Sequence, residues 1–165
     1  MRRLAAALLA LGLASCGATE QWVEPVGVEP PAGAEAAGKR AERQGGPDPD
    51  AGEEIFRLRP REGESIAYSV TIRNLTDEPI SITGVKADED RDGAFVPKAV
   101  AGGPVEIAAG SEGRVEVEGT VRGCRFGGQT VPLAGPELQM RSGGDELTQQ
   151  VELGARIELV VEEGC

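Results

Sequence analysis

The chain contains no histidine, and its 165 residues carry few aromatic side chains: Trp22, Phe56, Tyr68, Phe95 and Phe126. Without imidazole, Ser-His-Asp and Cys-His catalysis are excluded. The commonest transition-metal ligand and the usual switch near neutral pH are also missing. A Ser-Lys centre would need Lys39, Lys86 or Lys98, and none of them stands in a Ser-x-x-Lys motif. Copper handling needs His and Met, and Met140 is the one methionine besides Met1. No CxxC pair is present, which argues against thiol redox chemistry. Cationic surface is scarce as well. The net charge is −11, which repels phosphate backbones and anionic head groups and makes the domain an unsuitable nucleic-acid partner. We therefore expect a protein that is not an enzyme and that requires no cofactor.

A long apolar run is also absent. The longest stretch, Leu4 to Leu13, is too short for a bilayer core, which takes about 20 residues. Preceded by Arg2 and Arg3, it has the layout of a secretory signal. The run ends in Leu13-Ala14-Ser15-Cys16. This motif resembles the lipobox of bacterial lipoproteins, in which an aliphatic residue and two small residues precede a cysteine. The resemblance implies removal of residues 1–15 and a diacylglyceryl group on Cys16. It also implies anchoring at the cell membrane, facing away from the cytoplasm, or at the outer membrane of a two-membrane organism. Acyl chains contribute about 0.8 kcal/mol per buried methylene, so such an anchor is stable.

Two cysteines remain, Cys124 and Cys165. Outside the cytoplasm disulfides persist, and the simplest expectation is a Cys124–Cys165 bridge. Closing that loop contributes about 4 kcal/mol in the chain-entropy account.

Residues 16–52 are rich in Pro, Gly, Ala and Glu and show no sustained apolar period. Such a composition buries too little surface to offset chain entropy, so this segment reads as a disordered tether. A coil of that length spans about 30–35 Å. Ala34 to Arg43 reads at most as a transient helix weakened by Gly38. Trp22 reads as an incidental exposed residue of the linker or, less favoured, as a side chain at the lipid interface.

From residue 53 to 165 the texture changes to short alternating runs separated by turn residues. In Ser65 to Asn74, Ile66, Tyr68, Val70 and Ile72 share one face, which is the period of a half-buried strand. Asn74 to Pro79 supplies a turn, and Ile80 to Val85 the next strand. The same turn accounts for Asn74-Leu75-Thr76, which otherwise fits a glycosylation acceptor. Further strands are expected at Ile55–Leu58, Val105–Ala108, Arg114–Arg122, Glu137–Arg141, Leu147–Leu153 and Ala155–Val161. About seven or eight strands without a helical period point to a single all-β antiparallel sandwich. The stretch from Tyr68 to Val85, and the turn and strand from Ala109 to Val117, resemble bacterial immunoglobulin-like domains, which implies an Ig-like β-sandwich. The Trp and paired-Cys spacing of antibody domains is absent.

One local motif carries possible chemistry. Asp88-Glu-Asp90-Arg-Asp92-Gly93 matches the opening of a calcium loop, in which alternate acids converge on a hard cation. The twelfth position is Ala99, where a bidentate Glu belongs. An acidic solvated loop is therefore the favoured reading, and a structural calcium held by Asp88, Asp90 and Asp92 the weaker one. Functionally, the sequence suggests a lipid-anchored module that binds another envelope protein or a wall component. The alternative is a calcium or small-ligand sensor.

Overall fold

The structure is a computed structural model, and the residues it describes are 20–40, 52–87, 93–123 and 126–161. They form an all-β, sandwich-like fold of twelve strands in three sheets.

The first sheet has the order β1 (Val23–Glu29), β4 (Ser65–Asn74), β8 (Glu112–Val121), β6 (Phe95–Val100), and every pairing in it is antiparallel. The second runs β11 (Asp145–Gln150), β10 (Glu137–Ser142), β5 (Ile80–Val85), β7 (Val105–Ile107), again antiparallel. The long strands follow the alternation of the sequence. Tyr68, Val70 and Ile72 of β4 and Val115, Val117 and Val121 of β8 are buried. They belong to the same core cluster as Ile80, Ile82, Leu138 and Met140 of the second sheet. Two pleated faces rich in β-branched residues interdigitate in this way without strain. Gly119 falls among the inward positions of β8 because the Phe95 ring and the Val96 carbonyl occupy the space a Cβ would need.

The third sheet is assembled differently. Its order is β2 (Glu35–Lys39), β3 (Glu54–Leu58), β12 (Arg156–Val160), β9 (Thr130–Pro132). β3 and β12 are parallel, so almost the whole sandwich lies between them in the chain. A parallel pair always needs such a crossover. Leu58, Leu133, Ile157, Leu159 and Val161 join this sheet to the common core.

The tether expectation fails over the described part of residues 16–52. Residues 23–29 are a strand of the first sheet and 35–39 a strand of the third. The folded unit thus includes residues before 53. Pro25 concealed the first strand from the sequence. It lies at a register shift in an edge strand, where a missing N–H breaks no regular ladder. Ala34–Arg43 is not helical where described: residues 35–39 are extended, with Gly38 at φ 111° beside a register shift. Trp22 is neither an exposed linker residue nor an interfacial one; it is buried in the core. Its indole N–H donates to Glu20 Oε1 at 2.9 Å.

Gln149 of β11 explains how the N-terminal strand is held. Its Oε1 accepts from the Trp22 and Val23 amides at 2.9 and 3.2 Å, and its Nε2 donates to the Val23 carbonyl at 2.7 Å. One side chain therefore links the edge strands of two sheets, leaving fewer backbone groups open to other chains. β6 and β9 were not expected from the sequence either, and the strand count exceeds seven or eight for these reasons.

Candidate functional site

The connection from β1 to β2 crosses between sheets through Pro30-Pro31-Ala32-Gly33-Ala34. It is closed by a hydrogen bond from the Ala34 amide to the Pro31 carbonyl at 3.1 Å, with Gly33 at φ 83°. Two prolines hold this corner stiff. On one side of it lies a groove of about 360 Å³ on the outer face of the first sheet, lined by Glu29, Ser65, Ala67, Ser69, Arg114 and Glu116 among others. On the other side lies a depression of about 560 Å³ lined by Glu35, Ala36, Ala37, Arg57 and Arg59. Ala32 and Glu64 border both.

Two ion-paired clusters fix the charge around this corner. Arg114 grips Glu29 with both terminal nitrogens, at 3.0 and 2.7 Å. On the third sheet, Glu158 accepts from Arg57 Nε and Arg156 Nε, each at 2.8 Å. Glu158 stands on the outward side of β12 in the sequence alternation, yet it is buried. Burial opposes its charge; the hydrogen bonds and charges of Arg57 and Arg156 outweigh that and hold its carboxyl below the usual glutamate range. Arg57 is half exposed while making this bond, so the corner presents an anchored guanidinium to solvent.

A second feature lies between the sheets. Tyr68, Phe95, Pro97, Leu133 and Pro136 line a cleft of about 40 Å³, which is room for water rather than for a substrate. The Tyr68 and Phe95 rings meet edge to face with centroids 5.8 Å apart. Burial pushes the Tyr68 phenol above its ordinary pKa. At the mouth, Lys86 pairs with Glu137 at 3.3 Å. Lys86 and Gly93 line this cleft and stand on either side of the Asp88–Asp92 segment in sequence.

Asp88, Asp90 and Asp92 themselves lie outside the described residues, as do Cys16, Cys124 and Cys165. Among the described residues no group of three or more metal-ligating side chains comes together. The described residues that line the corner groove are none of the candidate site residues named from the sequence. Its components were individually unremarkable in sequence: an Arg or Glu on an outward strand face reads as solvated surface. The one available signal was Pro30-Pro31 after Val26 and Val28, a stiff corner following an alternating pair.

No known protein-family model matches the chain, and no curated protein matches it in sequence.

Proposed function

We propose that the protein is a lipid-anchored extracytoplasmic module that binds another envelope protein or a wall component through the corner groove. The anchor reading rests on Leu13-Ala14-Ser15-Cys16 and the apolar run before it. The binding reading rests on one observation: the β1–β2 corner places polar grooves beside rigid strands, with Arg57 and Arg114 oriented by carboxylates. Chains that bind in this way gain from side chains already held in place.

An immunoglobulin-like assignment of the sandwich is part of this reading. The orders β1-β4-β8-β6 and β11-β10-β5 support it, since they follow the ABED and GFC arrangement of that fold. β7 pairs with β5 but follows β6 in the chain, a departure from that arrangement. The Cys124–Cys165 bridge belongs here too. A Cβ on Gly123 would stand 2.8 Å from Val161 Cγ1, so the chain just before Cys124 packs near the last described residue. A thiol assay on the oxidised, denatured chain checks this: the bridge leaves no reactive thiol at 124 or 165, and two thiols refute it.

The binding reading is tested by photo-crosslinking in the native host with a photoreactive residue at Ala32, which borders both hollows of the corner, and separately at Thr83 on the second sheet. A single partner captured from position 32 and not from 83 supports the groove. Capture from neither, or equally from both, removes it. A second reading, a calcium sensor, rests on the Asp88–Gly93 motif. Calcium titration by calorimetry decides it: no heat and an unchanged melting temperature end that reading.

A further inference from the structure

Folded structure begins close behind Cys16. Trp22 is buried, and β1 starts at Val23. Val23 stands opposite Asn74 in register, and the Leu75 amide donates to the Trp22 carbonyl at 2.8 Å. The chain therefore enters the sandwich at the end where β4 finishes and β8 begins.

Three loops meet at that end, and Asn74 binds two of them together. Fully buried, its Nδ2 donates to the carbonyls of Glu78, Ile107 and Ala108 at 2.8 to 3.2 Å. Its Oδ1 accepts from the Thr76 amide at 2.9 Å, and its own amide bonds the Ser111 carbonyl. Ser142 Oγ donates to the Pro79 carbonyl at 3.0 Å, bringing in the 143–144 turn. Residues 75–79, 108–111 and 143–144 thus form one fixed platform. Leu75 stands on it 46 % exposed, one of two large apolar side chains so exposed among the described residues.

The distances then decide an orientation. Six residue steps separate Cys16 from the buried Trp22, which reach at most about 22 Å when fully extended. β4 has ten residues, and a strand of that length runs about 33 Å. A domain held by lipid at Cys16 cannot turn its opposite end, near Ser65 and Lys86, to the bilayer. The entry point would then stand farther from the surface than its leash allows.

We propose that the Leu75 platform faces the lipid surface, with Leu75 as its apolar contact, and that the corner groove is thereby presented away from the bilayer. This rests on the reading of Cys16 as the lipid attachment site. Asp77, Glu78 and Asp145 lie on the platform loops or beside them. Anionic head groups repel such a face, so the contact suits zwitterionic lipid.

The test uses the full chain as processed by its host, placed in phosphatidylcholine nanodiscs that carry a gadolinium-chelating lipid. Amide relaxation enhancement is read by NMR. The expected result is strong enhancement at residues 75–79, 108–111 and 143–144, fading towards Gly63, Lys86 and Pro136, and reduced at the platform when about 20 Gly/Ser residues are inserted after Thr19. Uniform enhancement, or enhancement strongest at Lys86, overturns the orientation while leaving the anchor intact. An intact mass without a lipid increment on Cys16 overturns the anchor, and the orientation with it; the mass is read first, so the two failures are told apart.

Discussion

The two sandwich sheets and the third sheet use the same alphabet of valine, isoleucine and glutamate to different ends. In the sandwich, neighbours in space are mostly strands joined by antiparallel ladders, and each long strand keeps its apolar residues on one face. In the third sheet, the strands have three to five residues, the central pair is parallel, and an ionised glutamate is buried on the side that alternation assigns to solvent. The sandwich is stabilised by apolar packing that each strand encodes locally. The third sheet depends on partners far away in the chain, and so its geometry is decided only when the rest of the fold is in place.

The largest expected effect comes from the sandwich core. Leu138 is fully buried, and Leu138→Ala should cost about 2–5 kcal/mol from lost transfer energy and the cavity left behind. Denaturant melts of the two proteins check it. Asn74→Ala comes next. It leaves the buried Ile107 carbonyl, and the partly buried Glu78 and Ala108 carbonyls and Thr76 amide, short of partners, at about 1–3 kcal/mol by the usual cost of such orphaned groups. The 75–79 amides should also exchange faster, whereas Leu138→Ala should leave that loop's local protection unchanged relative to global stability.

The contrast also governs what could be read in advance. Ser65–Asn74 and Ile80–Val85 match the strands found, because a period of two over six to ten residues has few other physical solutions. β1 was missed because proline and glycine interrupt its alternation, and β2 because Ala-Ala-Gly carries no apolar signal at all. Their strand character comes from β4 and β3, which offer open ladders. Alternation along Ala155–Val161 assigns Glu158 to the solvent side because it counts positions and not neighbours. Arg57 lies 101 residues away in the chain. The corner groove was illegible for the same reason: it exists only after the strands on either side of Pro30-Pro31 are placed.

A pH dependence sharpens the comparison. The Glu158 carboxyl is held below its ordinary value in the fold, so its stabilising contribution is complete above the unfolded-state pKa of about 4.3. It is lost as the pH falls through the lower folded value. Glu158→Gln should flatten the acid limb of the stability curve, and an unchanged acid limb would count against the paired-carboxylate account. A smaller effect is expected at Thr120, whose buried hydroxyl has no hydrogen-bond partner among the described residues. Thr120→Val should be neutral or stabilising by about 1 kcal/mol, measured as a rise in the denaturation midpoint. Smallest of all, Arg73→Ala removes ion pairs to Glu24 and Glu112 that sit in open solvent. Its melting temperature should match the parent within error, since exposed pairs add little.

The central claim is that residues before 53 are part of the folded domain and bring it close to Cys16. Hydrogen exchange of the backbone amides in Val23–Glu29 of the full chain addresses it most directly. The account predicts that the amides bonded to β4 are protected to a degree comparable with β4 itself. Exchange of this segment at the rate of an unstructured chain, while β4 stays protected, would contradict it and restore a long flexible tether.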